Sequence, residues 1–418
     1  MIIILVLILV GLVVWYRTMN YRNGIYNYIY LDNNATTAIL PEALTEYNRT
    51  SYLGNASSSY NTNGRELIEK HISLVKDIFD DDKKIVFTSG ASESNNTIIK
   101  LFGDSGYHIV SSELEHKSSL DCLKNYSHTL LQPDARGRLS VQQILNALQP
   151  NTGLVTLMHV NNELGNKYDI ENIAAQIKLY RPDIYIHTDA TQSFGKYIFE
   201  TKHIDAISAS YHKIYGPVGL GILAVSSRLA PLLSKHPLIY GSQNYGLRGG
   251  TMNLPAIAAG YVSLSKLVVD RRNKNQHLMH LKQYILDFLY KHFEILDYHK
   301  FYNQPDTFYV PGQGCEIVIL GDNQVPNCLL IGIVKRGNLQ NHFCNINLRD
   351  DLYQDGVIVS ISSACQSDKP EPSHVLRAIK APFVVRCGVI RISLGDHNSK
   401  SDVQRFCKLL KKNIYRQI

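Results

Sequence analysis

Between residues 84 and 225 the chain repeats one pattern: a short apolar run closed by small or turn-forming residues, then a longer stretch with helical periodicity. The runs are Lys84-Ile85-Val86-Phe87, His108-Ile109-Val110, Val155 to Val160, Ile184 to His187, Ala206 to Ala209 and Ile222 to Val225. Ahead of the first run Leu67, Ile68, Ile72, Val75, Ile78 and Phe79 share one helical face, and between later runs Val141, Ile144, Leu145 and Leu148 share another, with Ser140 placed to cap it. Asp169 is placed to cap a helix through Ile170, Ile173 and Ile177. Strands that alternate with helices are joined by crossovers, so the pattern predicts an α/β fold with a mainly parallel sheet covered on both faces. Around Asn273 the texture changes. A long helix is expected from about Gln276 to Leu296, then a looser stretch with Pro305, Pro311, Gly312 and Gly314, then short strands such as Glu316-Ile317-Val318-Ile319. The expected division is a hydrophobic segment over 1–20, a large domain over 24–273 whose first residues pack with the second domain, and a smaller α+β domain over 274–418.

A chain of 418 residues is long enough for two or three such units. Its 44% hydrophobic and 19% charged residues exclude disorder or coiled coil as descriptions of the whole. The charge balance of 43 basic against 36 acidic residues, +7, comes with no basic run longer than Lys83-Lys84, Arg271-Arg272 or Lys411-Lys412. Nucleic acid is therefore not an expected partner. Seven scattered cysteines without paired spacing argue against a disulfide scaffold or a metal centre, and for a reducing compartment. Met1 to Tyr16 depart from this picture: they carry no charge and are almost all Ile, Leu and Val. As a helix they would reach about 24 Å, against about 30 Å of bilayer hydrocarbon. Trp15 and Tyr16 suit an interfacial belt, and Arg17 and Arg22 follow. The expectation is a retained membrane anchor with the rest of the chain on the cytoplasmic side. The alternatives are a cleaved signal peptide, which lacks its basic start and small-residue cleavage site here, and a non-membrane segment of a cytoplasmic protein.

Three strand ends carry reactive side chains. Ser210-Tyr211-His212-Lys213 follows an apolar run and is closed by Gly216-Pro217. A lysine leaving the core there is partly desolvated, which lowers its pKa and favours Schiff-base chemistry; read alone, the motif more often holds a surface loop lysine. Asp189, with Gln192 three residues on, ends another run; its carboxylate could keep the pyridine nitrogen of pyridoxal phosphate protonated, or simply cap a helix. Thr88-Ser89-Gly90-Ala91-Ser92 joins a strand to a helix, where backbone amides and a hydroxyl could hold a phosphate, or Ser92 could be only a cap.

The order and spacing of the three, with further stretches, resemble the NifS-like cysteine desulfurases of the class V aminotransferase fold, which use pyridoxal 5'-phosphate. The resembling stretches are Tyr30-Leu31-Asp32-Asn33-Asn34-Ala35-Thr36-Thr37, Gly54 to Ser58, Phe87 to Asn96, Glu115-His116-Lys117, Met158 to Gly165 and Asp189 to Ser193. They continue through His212 to Pro217, Arg248-Gly249-Gly250-Thr251, Ser362-Ser363-Ala364-Cys365 with Glu371-Pro372-Ser373, and Arg391 to Gly395. The resemblance implies a fold-type-I transferase with a mainly parallel seven-stranded sheet. It implies Lys213 as the covalent attachment point, Asp189 on the ring nitrogen, Gln192 on the ring hydroxyl and His116 over the ring. Ala91, Ser92, Ser210 and His212 would surround the phosphate, and Thr251 would reach the phosphate of a second subunit. Asn34, Asn162 and Arg391 would bind substrate, with Asn162 also beside the cofactor. Cys365 would accept sulfur from L-cysteine as a persulfide, on a mobile polar loop from Gln366, leaving L-alanine. Homodimers and a sulfur-acceptor protein, for iron–sulfur cluster assembly or thiolation, are implied as well. Alternatives of the same fold are a selenocysteine lyase and a membrane-tethered scaffold without turnover. Against the family pattern, Tyr60 stands for a histidine, Ala56 for a proline and Ser92 for a threonine. The stretch from Val334 to Gly356 is expected to be polar, irregular and remodelled.

Overall fold

In the computed structural model, residues 28–79, 82–297, 304–305, 307–322, 324–337, 342–361 and 373–418 are described. The strands, in chain order, are β1 (Ile29–Tyr30), β2 (Lys84–Thr88), β3 (His108–Ser112), β4 (His128–Leu131), β5 (Thr152–Met158), β6 (Tyr185–Asp189), β7 (Ala206–Ser210), β8 (Gly221–Val225), β9 (Glu294–Ile295), β10 (Cys315–Leu320), β11 (Cys328–Lys335), β12 (Val357–Ile358) and β13 (Val389–Ser393). Seven of them form one sheet in the order β2-β8-β7-β6-β5-β3-β4. β3, β4, β5, β6 and β7 run parallel, and β8 is antiparallel to both of its neighbours. β2 therefore points the same way as β7, and six strands deliver their C-terminal ends to one edge. Open α/β sheets bind ligands at that edge.

Every residue of β3, β5, β7 and β8 is buried, as continuous apolar runs require when helices cover both faces. On one face the helices Thr62–Lys76, Ile170–Tyr180 and Leu254–Val269 bring Val75, Ile173, Ile177, Ile257 and Leu264 onto Ile186, Ile207 and Ile222. On the other, Ile98, Ile99 and Phe102 of the helix Ala91–Asp104 meet Val86, Ile109 and Leu223. The helix starts follow the capping rules. Ser140 and Gln143 form a reciprocal capping box, and the Asp169 carboxylate accepts the Asn172 amide at 3.3 Å.

A second sheet, β13-β11-β10-β9, is antiparallel except for the β10–β9 pair. Leu281, Ile285 and Leu289 of the helix Arg271–His292 and Phe406, Leu410 and Ile414 of the helix Lys400–Gln417 cover it. β1 joins this side of the molecule: it pairs in parallel with β12, and Ile29 and Leu31 sit in the same apolar cluster. The long helix begins five residues before the expected Gln276 and stops at His292, because Glu294 and Ile295 pair with β10 instead.

In the stretch expected to be irregular from Val334, the described residues 334–337 and 342–356 include regular elements. Val334 and Lys335 complete β11, Phe343 is buried, and Asn345–Gln354 is a helix seated on Leu348 and Leu352. Among the described residues no helix is long and apolar enough to cross a membrane. The segment expected to be an anchor, 1–20, lies outside the described residues.

Candidate active site

The site forms where the shared strand edge meets β13 and the turn after β1. β7 ends at Ser210 and a single 3₁₀ turn, Tyr211–Lys213, follows. The turn places the Lys213 ammonium on the backbone carbonyls of Asn34 (2.7 Å) and Ala35. Burial pushes the Lys213 pKa down to about 7, helped by the positive charges of Arg391 and Lys196 and opposed by Asp32 and Asp189. The chain must then turn sharply, and Tyr215 does so at φ 64°. Left-handed backbone costs a bulky residue about 1 kcal/mol or more, and the surroundings fix it. The Tyr215 amide donates to Thr37 Oγ1 at 2.7 Å, its carbonyl accepts from Ser263 at 2.9 Å, and its hydroxyl accepts the Asp396 amide at 2.7 Å.

One strand over, Asp189 closes β6. Its Oδ2 accepts from Asn95 Nδ2 at 2.8 Å and its Oδ1 accepts the Thr191 amide at 2.9 Å. Asn95 lies in a stretch quoted above but carried no expected role. The Gln192 amide nitrogen donates to the Asn34 carbonyl at 3.0 Å, and its Oε1 is buried without a partner. After β3, His116 caps the helix Lys117–Leu123 by accepting the Ser118 amide at 3.1 Å. Its imidazole pKa is lowered by the surrounding protein, with Asp189 opposing and Lys213 assisting. Glu115, directly before it, is buried on Ser112 (2.7 Å) and the Met158 amide (3.1 Å), and burial raises its pKa to about 8.

The turn from β2 into the helix Ala91–Asp104 lies beside Ser210, because Thr88 and Ser210 flank the same residue, Gly221, from opposite sides. A Cβ on Gly221 would come within 2.5 Å of Gly90 Cα, so only glycine admits this close approach. Gly90 offers the helix no side-chain cap. Among the described residues the hydroxyls of Ser92 and Ser210 and the amides of Ala91 and Ser92 are uncommitted. His212 bonds Thr36 through Nδ1 at 3.1 Å, leaving Nε2 open, and burial lowers its pKa to about 4. Thr251 is exposed, and the loop carrying it is tied to this helix by the Arg248–Glu93 ion pair at 2.8 Å.

From the second sheet comes Arg391, buried in β13. It donates to Asp32 Oδ1 at 2.7 Å and to the Asn162 carbonyl at 3.0 Å, while its Nε has no partner. Asn34 links the two halves: its side chain donates to the Asn162 carbonyl (3.1 Å) and accepts from Asn327 Nδ2 (2.9 Å). Asn327 carried no sequence signal. The Asn162 side-chain amide is uncommitted among the described residues.

Cys365 lies outside the described residues. The chain on either side of it is fixed at this site. Ser360 exchanges backbone bonds with Arg391 at 3.2 and 2.7 Å, and the Ser373 hydroxyl donates to Glu163, next to Asn162, at 2.6 Å. Of the departures from the resembled pattern, Tyr60 is exposed and Ala56 is buried.

The residues present fit a pyridine ring bearing a phosphate. Uncommitted amides and hydroxyls gather at a helix start, an unpartnered amide oxygen and a carboxylate sit at a strand end, and a lysine with a lowered pKa lies between them.

Residues 29–306 match the class-V aminotransferase family. A cysteine desulfurase from Nostoc sp. is 32% identical over 408 residues, covering 93% of each chain. Among solved structures, a NifS-like protein superposes with a TM-score of 0.77 at 26% identity, over 92% of this chain and 98% of its own. SspA, solved in complex with cysteine, does so with a TM-score of 0.70 at 27% identity, over 88% and 99%.

Proposed function

Because the chain belongs to the class-V aminotransferase family, and within it to the pyridoxal-phosphate-dependent cysteine desulfurases, we propose that this site takes sulfur from L-cysteine, releases L-alanine and keeps the sulfur as a persulfide on Cys365. Bound here, pyridoxal 5'-phosphate supplies an electron sink for the pair left at the substrate Cα. Lys213 would hold it covalently, Asp189 and Gln192 would face the ring nitrogen and ring hydroxyl, and His116 would cover the ring. Ala91, Ser92, Ser210 and His212 would take the phosphate. The guanidinium of Arg391, with the Asn162 amide and Asn34, would bind the substrate carboxylate and orient the Cα–H bond toward Lys213.

A lysine with a pKa near 7 is substantially neutral at physiological pH, so its amine can take the Cα proton once it is free. The Cys365 thiolate then forms a bond to the substrate sulfur as the carbon–sulfur bond breaks. The bonding pair stays with the substrate carbon, which is reprotonated to give alanine. The observation that carries this reading is the half-buried Lys213 ammonium, held among the described residues only by the neutral carbonyls of Asn34 and Ala35 and within the electrostatic influence of both Asp189 and Arg391. The test is direct: the purified protein should be yellow and should release alanine from L-cysteine, and a colourless protein that binds no pyridoxal phosphate would overturn it.

Three finer readings accompany this. A homodimer would let Thr251, exposed and tied through Arg248 to the phosphate cradle, serve the partner's cofactor. A sulfur-acceptor protein, of iron–sulfur cluster assembly or of a thiolation route, would collect the persulfide. Residues 1–20 would tether the enzyme to a membrane.

A further inference from the structure

A small cleft opens between the loop after β6, the helix Arg271–His292 and the turn after β13. Its polar wall includes Lys196, Arg271, Lys274, Asn275 and Asp396, and no residue assigned above to cofactor or substrate lines it. The only carboxylate on the wall among the described residues, Asp396, is paired with Lys274 at 2.9 Å. Lys196 and Arg271 are partly buried, and among the described residues neither cationic group has an ion-pair or hydrogen-bond partner. The loop bearing Lys196 is pinned to the helix, since Asn275 Nδ2 donates to the Lys196 carbonyl at 2.9 Å. Both residues therefore line the same cleft on elements tied to each other. With Lys274 and Asp396 cancelling, that space carries two uncompensated positive charges.

Partly desolvated cations without counterions are unfavourable, and a bound anion removes the cost. Burial lowers the Lys196 pKa to about 8, with Asp396 opposing, and also lowers that of Arg271. A planar guanidinium beside a point ammonium suits a group with two or more oxygens. Leu267 and Leu278 close the apolar side and keep the space small.

We propose that this cleft is a binding site for a small oxyanion, either inorganic or the carboxylate of a small molecule, gripped by Arg271 and Lys196. The site acts on the neighbouring chemistry through charge. Lys196 is one of the cations that lower the Lys213 and His212 pKa values, and an anion beside it offsets that influence.

The test is isothermal titration of the cofactor-loaded enzyme, in which the phosphate cradle is already filled. Sodium sulfate and sodium acetate are titrated separately at constant ionic strength. The expected result is one saturable site per chain for at least one of the two. Tighter binding of sulfate assigns an inorganic oxyanion, and tighter binding of acetate a carboxylate. Arg271→Gln and Lys196→Met should each weaken binding about tenfold or more, the size of one charge-assisted contact. Arg272→Gln, one residue along and outside the cleft wall, should leave it unchanged. Arg271 is only partly buried, so Arg271→Gln decides the matter even if Lys196→Met loses its fold. Absence of a saturable site for both anions, or equal affinity in wild type and Arg271→Gln, would overturn the proposal.

Discussion

Replacing Arg391 by lysine keeps the charge and removes the geometry. In the native site one guanidinium arm is spent on Asp32 at 2.7 Å and the other on the Asn162 carbonyl at 3.0 Å, while Nε and the remaining N–H groups stay free. That division lets one residue keep its structural ion pair and still offer donors to a substrate carboxylate. A lysine carries a single ammonium on an unbranched stem, and the partly buried Asp32 carboxylate claims it. The substrate then loses a charge-assisted contact worth about 1.5–3 kcal/mol, which is about 10- to 150-fold in affinity. The carboxylate is held in both the ground and transition states, so the loss should appear in KM, with kcat within about threefold of wild type. The assay is alanine release against cysteine concentration, with the cofactor absorbance and Tm followed in parallel to show an intact site. A KM within about twofold of wild type, or a fall in kcat at constant KM, would refute this reading of Arg391.

Lys213→Ala should abolish covalent attachment of the cofactor. Borohydride reduction and peptide mapping of wild type should find the label on Lys213, and a label elsewhere would sink that assignment. In the cofactor-free protein the Lys213 pKa is about 7, against about 10.4 in the unfolded chain, so between these values the folded state binds fewer protons. The contribution of Lys213 to stability therefore grows as pH rises from 7 toward 10. The Tm difference between Lys213→Met and wild type, both without cofactor, should shift in favour of wild type over that window; a pH-independent difference would contradict it. A chain beginning near Asn23 should remain soluble and active, since β1 and its pairing with β12 start only at Ile29. Loss of folding on that truncation would mean the segment is core rather than anchor.

What could be read in advance follows from how local each signal is. The buried strands announced themselves because both faces are covered, and Ser140 and Asp169 cap their helices by contacts three residues long. β4 gave no such signal: it is a short edge strand whose first three residues are only half-buried, so His128-Thr129-Leu130 reads as loop. The start of the helix Arg271–His292 was missed because Arg271-Arg272-Asn273-Lys274-Asn275 has no apolar periodicity. It is anchored instead by tertiary contacts, the Lys274–Asp396 pair and the Asn275 bond to Lys196. The reactive residues were legible as strand-end motifs, and their supporting partners were not. Asn327 reaches Asn34 across 293 positions, and Asp32 reaches Arg391 across 359. No spacing rule covers such distances, and only the meeting of the two sheets makes the bonds possible. Phe343 and the helix after it were obscured by polar neighbours, although Phe343, Leu348 and Leu352 alone supply the buried face.

The central claim is that sulfur leaves cysteine for one thiol, Cys365. Mass spectrometry of the enzyme after brief exposure to L-cysteine reads this directly. Under the proposed mechanism an added sulfur is expected on the peptide containing Cys365. In Cys365→Ser the mechanism predicts a normal cofactor spectrum, a retained spectral shift on adding cysteine and alanine release lower by about a hundredfold or more, because a serine hydroxyl is not ionised at neutral pH. Of the other thiols, Cys328 and Cys407 are buried, and burial raises the pKa of both. A persulfide found only on Cys122, Cys328 or Cys344, or near-normal alanine release from Cys365→Ser, would contradict the mechanism.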